Sequence, residues 1–212
     1  MIRRLIKLGV VVALLGVGDV TARAYIETKV DARAQAEAPP GSEIDTSIGG
    51  FPFVPRLLLA STVSHVGVHI ENVNATVITF ATVDIDLRGV ELDRSKMFAR
   101  KARITSIDSG TVEVVVTQEA LGDALHVPIR IADGVVSVTI LGKAVPVTPG
   151  VDGDGSLTLQ ADGVARTLTL KIPKTDYVPC IGDVTVLAGR IRFSCEIQDI
   201  PPALLDAAQI SS

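Results

Sequence analysis

Beyond Gly41 the sequence alternates between apolar and polar residues. Val83, Ile85 and Leu87 are interleaved with Asp84, Asp86 and Arg88; Val112, Val114 and Val116 with Thr111 and Glu113; Val136, Val138 and Ile140 with Ser137 and Thr139. A period of two places one set of side chains on each face of an extended strand, whereas a helix would repeat every 3.6 residues. Such runs describe antiparallel sheet with one dry and one wet face. Asp-Gly pairs at 133–134, 152–153, 154–155 and 162–163 mark hairpin turns, because glycine accepts the positive φ of primed turns. The chain from about Pro128 to Pro173 therefore reads as a meander of hairpins. Short helices are expected over Gln118 to Leu125 and over Pro201 to Ala208, with Pro202 in the first turn of the latter.

The N-terminal part has a different period. Arg3, Arg4 and Lys7 precede a run from Leu8 to Gly18 that contains no charge. That run is shorter than the roughly 20 apolar residues of a spanning helix and matches the apolar region of a secretory signal. Residues 1–24 are thus read as a signal peptide or signal anchor; Ala22-Arg23-Ala24 has the small-x-small form of a cleavage site, but follows Asp19. From Asp19 to about Ala38 the pattern is helical. Ala22, Ile26, Val30 and Ala34 recur every fourth position, with Glu27, Asp31 and Gln35 on the other side, and Pro39-Pro40-Gly41 ends the helix. No second linker follows, so residues 25–212 read as one β-rich domain.

Composition narrows the function. A net charge of -4 leaves no basic field for nucleic acid. Aromatics make up 3% of the 212 residues and tryptophan is absent. The inner face of such a sheet is aliphatic, suited either to ordinary packing or to lining a cavity for a flexible aliphatic ligand. Cys180 and Cys195 are the only cysteines, and Leu187-Ala188-Gly189-Arg190 between them can turn the chain. They read either as a structural disulfide, which fits an exported protein, or as two buried thiols.

Catalytic chemistry finds no foothold. His65 and His69 share one face of a strand, facing water if Val66, Val68 and Ile70 point inward. At that spacing they stand roughly 13 Å apart, too far for one metal ion. His126 suits a loop or helix end. No Gly-x-Ser-x-Gly elbow occurs, and Asp152-Gly153-Asp154-Gly155 lacks the closing glutamate of a calcium loop. No cofactor is expected, and the chain does not read as an enzyme. One cationic cluster stands out in an acidic protein: Arg94, Lys96, Arg100, Lys101 and Arg103, either a solvated loop or a contact for anionic headgroups at a membrane surface.

The segment Ser47-Ile48-Gly49-Gly50-Phe51-Pro52-Phe53-Val54-Pro55-Arg56-Leu57-Leu58-Leu59 fits neither a polar turn nor a core strand. Its glycines release the backbone, its prolines stiffen it, and large apolar side chains crowd between them. By themselves these residues suit a plug at one end of a sheet.

The export signal, the helix after it, Ser47-Ile48-Gly49-Gly50-Phe51-Pro52-Phe53 and Val83-Asp84-Ile85-Asp86-Leu87-Arg88-Gly89-Val90 together resemble the LmeA-like phospholipid-binding family of actinobacterial cell envelopes. The likeness extends to Pro201-Pro202-Ala203-Leu204-Leu205. It implies an α+β, β-rich fold in which a curved antiparallel sheet wraps a long N-terminal helix, similar to tubular lipid-binding domains. It also implies an extracytoplasmic phospholipid carrier linked to envelope lipid and lipoglycan upkeep, with phospholipid and the membrane surface as partners. No protein partner is legible. Under that resemblance Phe51, Phe53, Leu57 and Leu58 would line or gate a lipid cavity, with Val136, Val138 and Ile140 on its wall.

Overall fold

The structure, a computed structural model, describes residues 2–37, 40–75, 77–93, 95, 104–132, 134–152, 156–161, 167–171, 180 and 182–198. Helix α1 (Ile2–Glu37) is followed by β1 (Glu43–Gly49), α2 (Phe53–Ala60), β2 (Thr62–Asn74), β3 (Thr79–Leu92), β4 (Ile104–Ser106) and β5 (Ser109–Thr117). Next come α3 (Gln118–Leu125), β6 (Ile129–Ala132), β7 (Val135–Ile140), β8 (Lys143–Val151) and β9 (Leu157–Ala161). β10 (Thr167–Leu170), β11 (Asp183–Leu187) and β12 (Arg190–Ile197) complete the described elements. The helix expected over Pro201 to Ala208 lies outside the described residues.

The described residues form two antiparallel sheets where the sequence pattern suggested one. The first runs in the order β1-β2-β3-β5-β12-β11, with β4 beside β3; the second is the meander β10-β9-β8-β7-β6. The break has two parts, a cap at the end of β5 and the return of β12 to its edge. Thr117 ends β5 and caps α3, its Oγ1 accepting from the Ala120 N–H at 3.2 Å, so the chain leaves the sheet. β12 then occupies the edge of β5, from Arg190 opposite Thr117 to Ile197 opposite Gly110, and β6 must pair elsewhere.

Alternation fixes the register across the first sheet. Ile44, Ile70, Val83, Val114, Phe193 and Val184 stand side by side across six strands. The neighbouring row reads Asp45, His69, Asp84, Glu113, Ser194 and Asp183. A slip of one residue toward that row would set Asp45, His69, Asp84, Glu113, Ser194 or Asp183 into the apolar row. The inner faces of both sheets share one core, where Val83, Val116, Val138, Leu157 and Ile191 are fully buried.

Two devices tie the sheets together. The Ala188-Gly189 turn joins β11 to β12, with Gly189 at φ 71°, a conformation that L residues adopt at a cost. Gly189 accepts from the Gln118 N–H at 3.0 Å and donates to the Ile131 carbonyl at 3.2 Å, so the hairpin tip is held by α3 and β6. At the other end of β11 a Cys180–Cys195 disulfide closes the hairpin, with Cα atoms 6.1 Å apart, and this excludes two free thiols.

Helix α1 lies along the edge of β1. Glu27 accepts from the Ile48 N–H at 2.7 Å, Asp31 from the Thr46 N–H at 2.8 Å and Gln35 from the Ile44 N–H at 3.0 Å. The spacing works because four helical residues rise about 6.0 Å and two strand residues about 6.6 Å. Ile26 and Ala34, from the adjacent apolar stripe, pack against the core. A bare strand edge invites pairing with another chain, and here carboxylate and amide oxygens occupy its donors. Among the described residues no helix is long and apolar enough to cross a membrane.

Candidate functional site

The aromatic and proline-rich segment after β1 forms the joint between α1 and α2. Gly50, at φ 109°, takes a backbone conformation that side chains resist, and the Phe51–Pro52 peptide bond is cis. Pro52 occupies the N-cap of α2 and offers no side-chain cap. That role passes to Asp19 of α1, whose Oδ2 accepts from the Phe53 N–H at 2.8 Å and whose Oδ1 accepts from the Val54 N–H at 2.6 Å. Asp19 is buried, and two backbone donors at a helix N-terminus are the partners a buried carboxylate needs. At the other end Ser61 adopts the left-handed conformation and its N–H bonds the Leu57 carbonyl.

This joint divides the predicted residues into two groups. Phe53 is 4% exposed and Leu57 partly buried against the core. Phe51 and Leu58 point the other way, 73% and 52% exposed, and Leu59, which the sequence did not single out, is 77% exposed. Arg56 donates to the Ser64 Oγ of β2. Val136 and Val138 lie in the shared core away from this joint, while Ile140 is exposed at the tip of the β7–β8 hairpin beside Leu141. Arg94, Lys96, Arg100, Lys101 and Arg103 fall outside the described residues.

Among the described residues, two of the surface clefts are well defined. One of about 540 Å³ is lined by Gln118, Asp123, His126, Val127 and Ile129 among others. The other, of about 480 Å³, is lined by residues that include Asp86, Arg88, Asp108, Thr111, Glu196 and Ile197. Both walls mix charged and apolar groups, and neither includes a residue of the α1–α2 joint.

The histidines sit where alternation placed them, on the wet face of β2. His65 Nδ1 lies 3.4 Å from Asp86, and His69 contacts Asp84 through Nδ1 and Glu71 through Nε2. The hydrogen bond to Asp84 raises the pKa of His69 above its ordinary value; partial burial opposes this, and Glu71 adds to it. His126 caps the C-terminus of α3. Among the described residues no three His, Cys, Asp or Glu side chains are grouped to hold a metal ion.

Asp19 was missed by reading the sequence because its partners lie 34 and 35 residues away. Its one local signal is a carboxylate that directly ends an uncharged apolar run, where a charge must find partners or water.

No curated protein and no solved structure matches the chain. The sequence model of one family matches residues 17–203, from just before Asp19, through both sheets, to Ala203. By that match the chain belongs to the LmeA-like phospholipid-binding family.

Proposed function

We propose that this protein is an extracytoplasmic phospholipid carrier of the cell envelope, which holds acyl chains against an aliphatic interior and supports envelope lipid or lipoglycan maturation. The observation that carries this reading is the match to a phospholipid-binding family over residues 17–203. The interior suits the ligand: apart from Phe53, Phe80 and Phe193, the core among the described residues is aliphatic. In this reading the two sheets and α1 wall a tubular domain. Val136 and Val138 belong to the apolar surface the chains lie against, and Phe51, Phe53, Leu57 and Leu58 to its entrance. The cationic tract from Arg94 to Arg103 meets anionic headgroups.

The energetics favour a sheltered ligand over a surface film. Removing an acyl chain from water gains about 0.8 kcal/mol per methylene, so roughly sixteen carbons supply on the order of 12 kcal/mol before costs. An interior that shields those methylenes can compete with a bilayer for the lipid. Transfer of this kind is an exchange of apolar environments and needs no bond-making chemistry.

Native mass spectrometry of the protein purified from cells, with organic extraction of what it carries, tests the reading. The expected result is phospholipid at a defined ratio to protein. A lipid-free protein that also takes up no phospholipid from vesicles would overturn it and leave the exposed apolar surface to a protein partner.

A further inference from the structure

Helix α2 is apolar on two sides. Phe53 and Leu57 face the core, while Pro55, Leu58 and Leu59 follow one another at helical spacing on the opposite side, with Phe51 just before the helix. The only charge in α2 belongs to Arg56, which is turned back onto Ser64. An exposed helix of a soluble domain ordinarily turns polar residues outward.

We propose that the outer face of α2, with Phe51, docks on a phospholipid bilayer, and that Phe51, Leu58 and Leu59 enter the boundary between headgroups and acyl chains. The inference rests on the phospholipid-carrier reading and assigns it the surface by which the protein meets its lipid source.

Two observations select a lipid surface over a second copy of the chain. The first is size. The four exposed side chains, Phe51, Pro55, Leu58 and Leu59, present at most a few hundred Å², well short of the roughly 800 Å² per partner of a stable dimer. The second is position. Asp19 binds the first two N–H groups of α2, and the uncharged run Leu8 to Gly18 immediately precedes Asp19 in the same continuous helix. At 1.5 Å per residue that run extends about 16 Å beyond the joint. A lipid layer that takes up this run meets α2 at its surface, because the Asp19 latch fixes the two elements together.

The absence of tryptophan gives a direct test. Leu59→Trp and Phe51→Trp each introduce a single tryptophan at an exposed site, and Leu141→Trp, at the fully exposed hairpin tip, serves as the comparison. The full-length variants are mixed with vesicles of phosphatidylethanolamine and phosphatidylglycerol, with and without brominated acyl chains. Blue-shifted, bromine-quenched emission at positions 51 and 59, and water-like emission at 141, is the expected result. Water-like emission at 51 and 59 in protein that floats with the vesicles overturns the inference. So does a blue shift that needs no vesicles and grows with protein concentration, since a second copy then covers the face. A protein that carries extracted phospholipid yet shows no insertion at 51 and 59 refutes only this inference; lipid-free protein refutes the carrier reading beneath it.

Discussion

Asp19 and Asp31 make a paired prediction, because each accepts two hydrogen bonds but in different ways. At Asp31 a single oxygen, Oδ1, accepts from both the N–H and the Oγ1 hydroxyl of Thr46. At Asp19 each oxygen serves a separate donor, Oδ2 the Phe53 N–H and Oδ1 the Val54 N–H. Asparagine keeps one acceptor oxygen and replaces the other by an amide that donates. Asp31→Asn therefore retains both bonds and loses only the reinforcement by charge, a cost of about 1 kcal/mol or less. Asp19→Asn must lose one bond and set an NH₂ against a backbone N–H. A lost bond to a charged acceptor costs about 1.5–3 kcal/mol, and the donor left inside without a partner keeps the total near 2–4 kcal/mol. For a chain of this size each kcal/mol moves Tm by about 2–4 °C, so Asp19→Asn lowers it by about 5–15 °C and Asp31→Asn by less than about 4 °C. Thermal melts of the two variants beside Asp31→Ala, which removes both bonds to Thr46, provide the measurement. Equal melting temperatures for the two asparagine variants, or the reverse order, would refute the account of how α1 holds β1 and α2.

Two further outcomes follow from the wet face and the hairpin. The pKa of His69 is raised chiefly by its hydrogen bond to Asp84. The stabilisation from this pair is therefore fully present below the ordinary histidine value of about 6.5 and is lost as pH rises through the raised value. The pair is nearly half exposed, which limits its worth to roughly 1 kcal/mol or less. An NMR titration of the His69 ring should show its midpoint fall in Asp84→Asn, and an unchanged midpoint contradicts the assignment. The disulfide closes a loop between Cys180 and Cys195, a separation of 15 residues, so its removal costs about 3 kcal/mol in the chain-entropy model. Melts with and without reductant should differ by about 6–12 °C, and coincident curves would show that strand pairing and the Gly189 contacts hold the hairpin without the disulfide.

What was legible in the sequence is what depends on near neighbours. Val83, Ile85 and Leu87 announced their strand because burial alternates with the pleat. Gln118 to Leu125 announced α3. The 187–190 turn forecast the cysteine pair because a two-residue turn fixes which residues of β11 and β12 lie opposite. The break into two sheets was not legible, since it depends on β12 returning to β5 across more than 70 residues of chain. Ile140 continues the alternation of Val136 and Val138 yet is exposed, because it ends its strand beside the Leu141-Gly142 turn. Period two tells which face a side chain takes, and says nothing about where the neighbouring layer stops. Glu27, Asp31 and Gln35 read as the polar side of a helix, which is normally the solvated side. Only the structure shows that the edge of β1 supplies each of them with a backbone N–H.

That manner of attachment bears on function. A helix docked through a broad apolar face commits its hydrophobic residues to the core. Here α1 is fixed to β1 and α2 by Asp19, Glu27, Asp31 and Gln35 acting on backbone N–H groups, with Ile26 and Ala34 as a narrow apolar seam. Apolar side chains around the joint are exposed: Val20 and Tyr25 on α1, the latter with Lys29 Nζ 5.7 Å from its ring centre, and Phe51, Leu58 and Leu59 around α2. Each such side chain gains on the order of 1–2 kcal/mol on moving from water into an apolar phase. A polar latch thus does what an apolar one could not. It holds α1 against β1 and α2 through backbone donors while apolar side chains around the joint stay exposed, the surface proposed to dock on a bilayer. Its Asp19 and Asp31 carboxylates can be tested by a single oxygen-to-amide substitution.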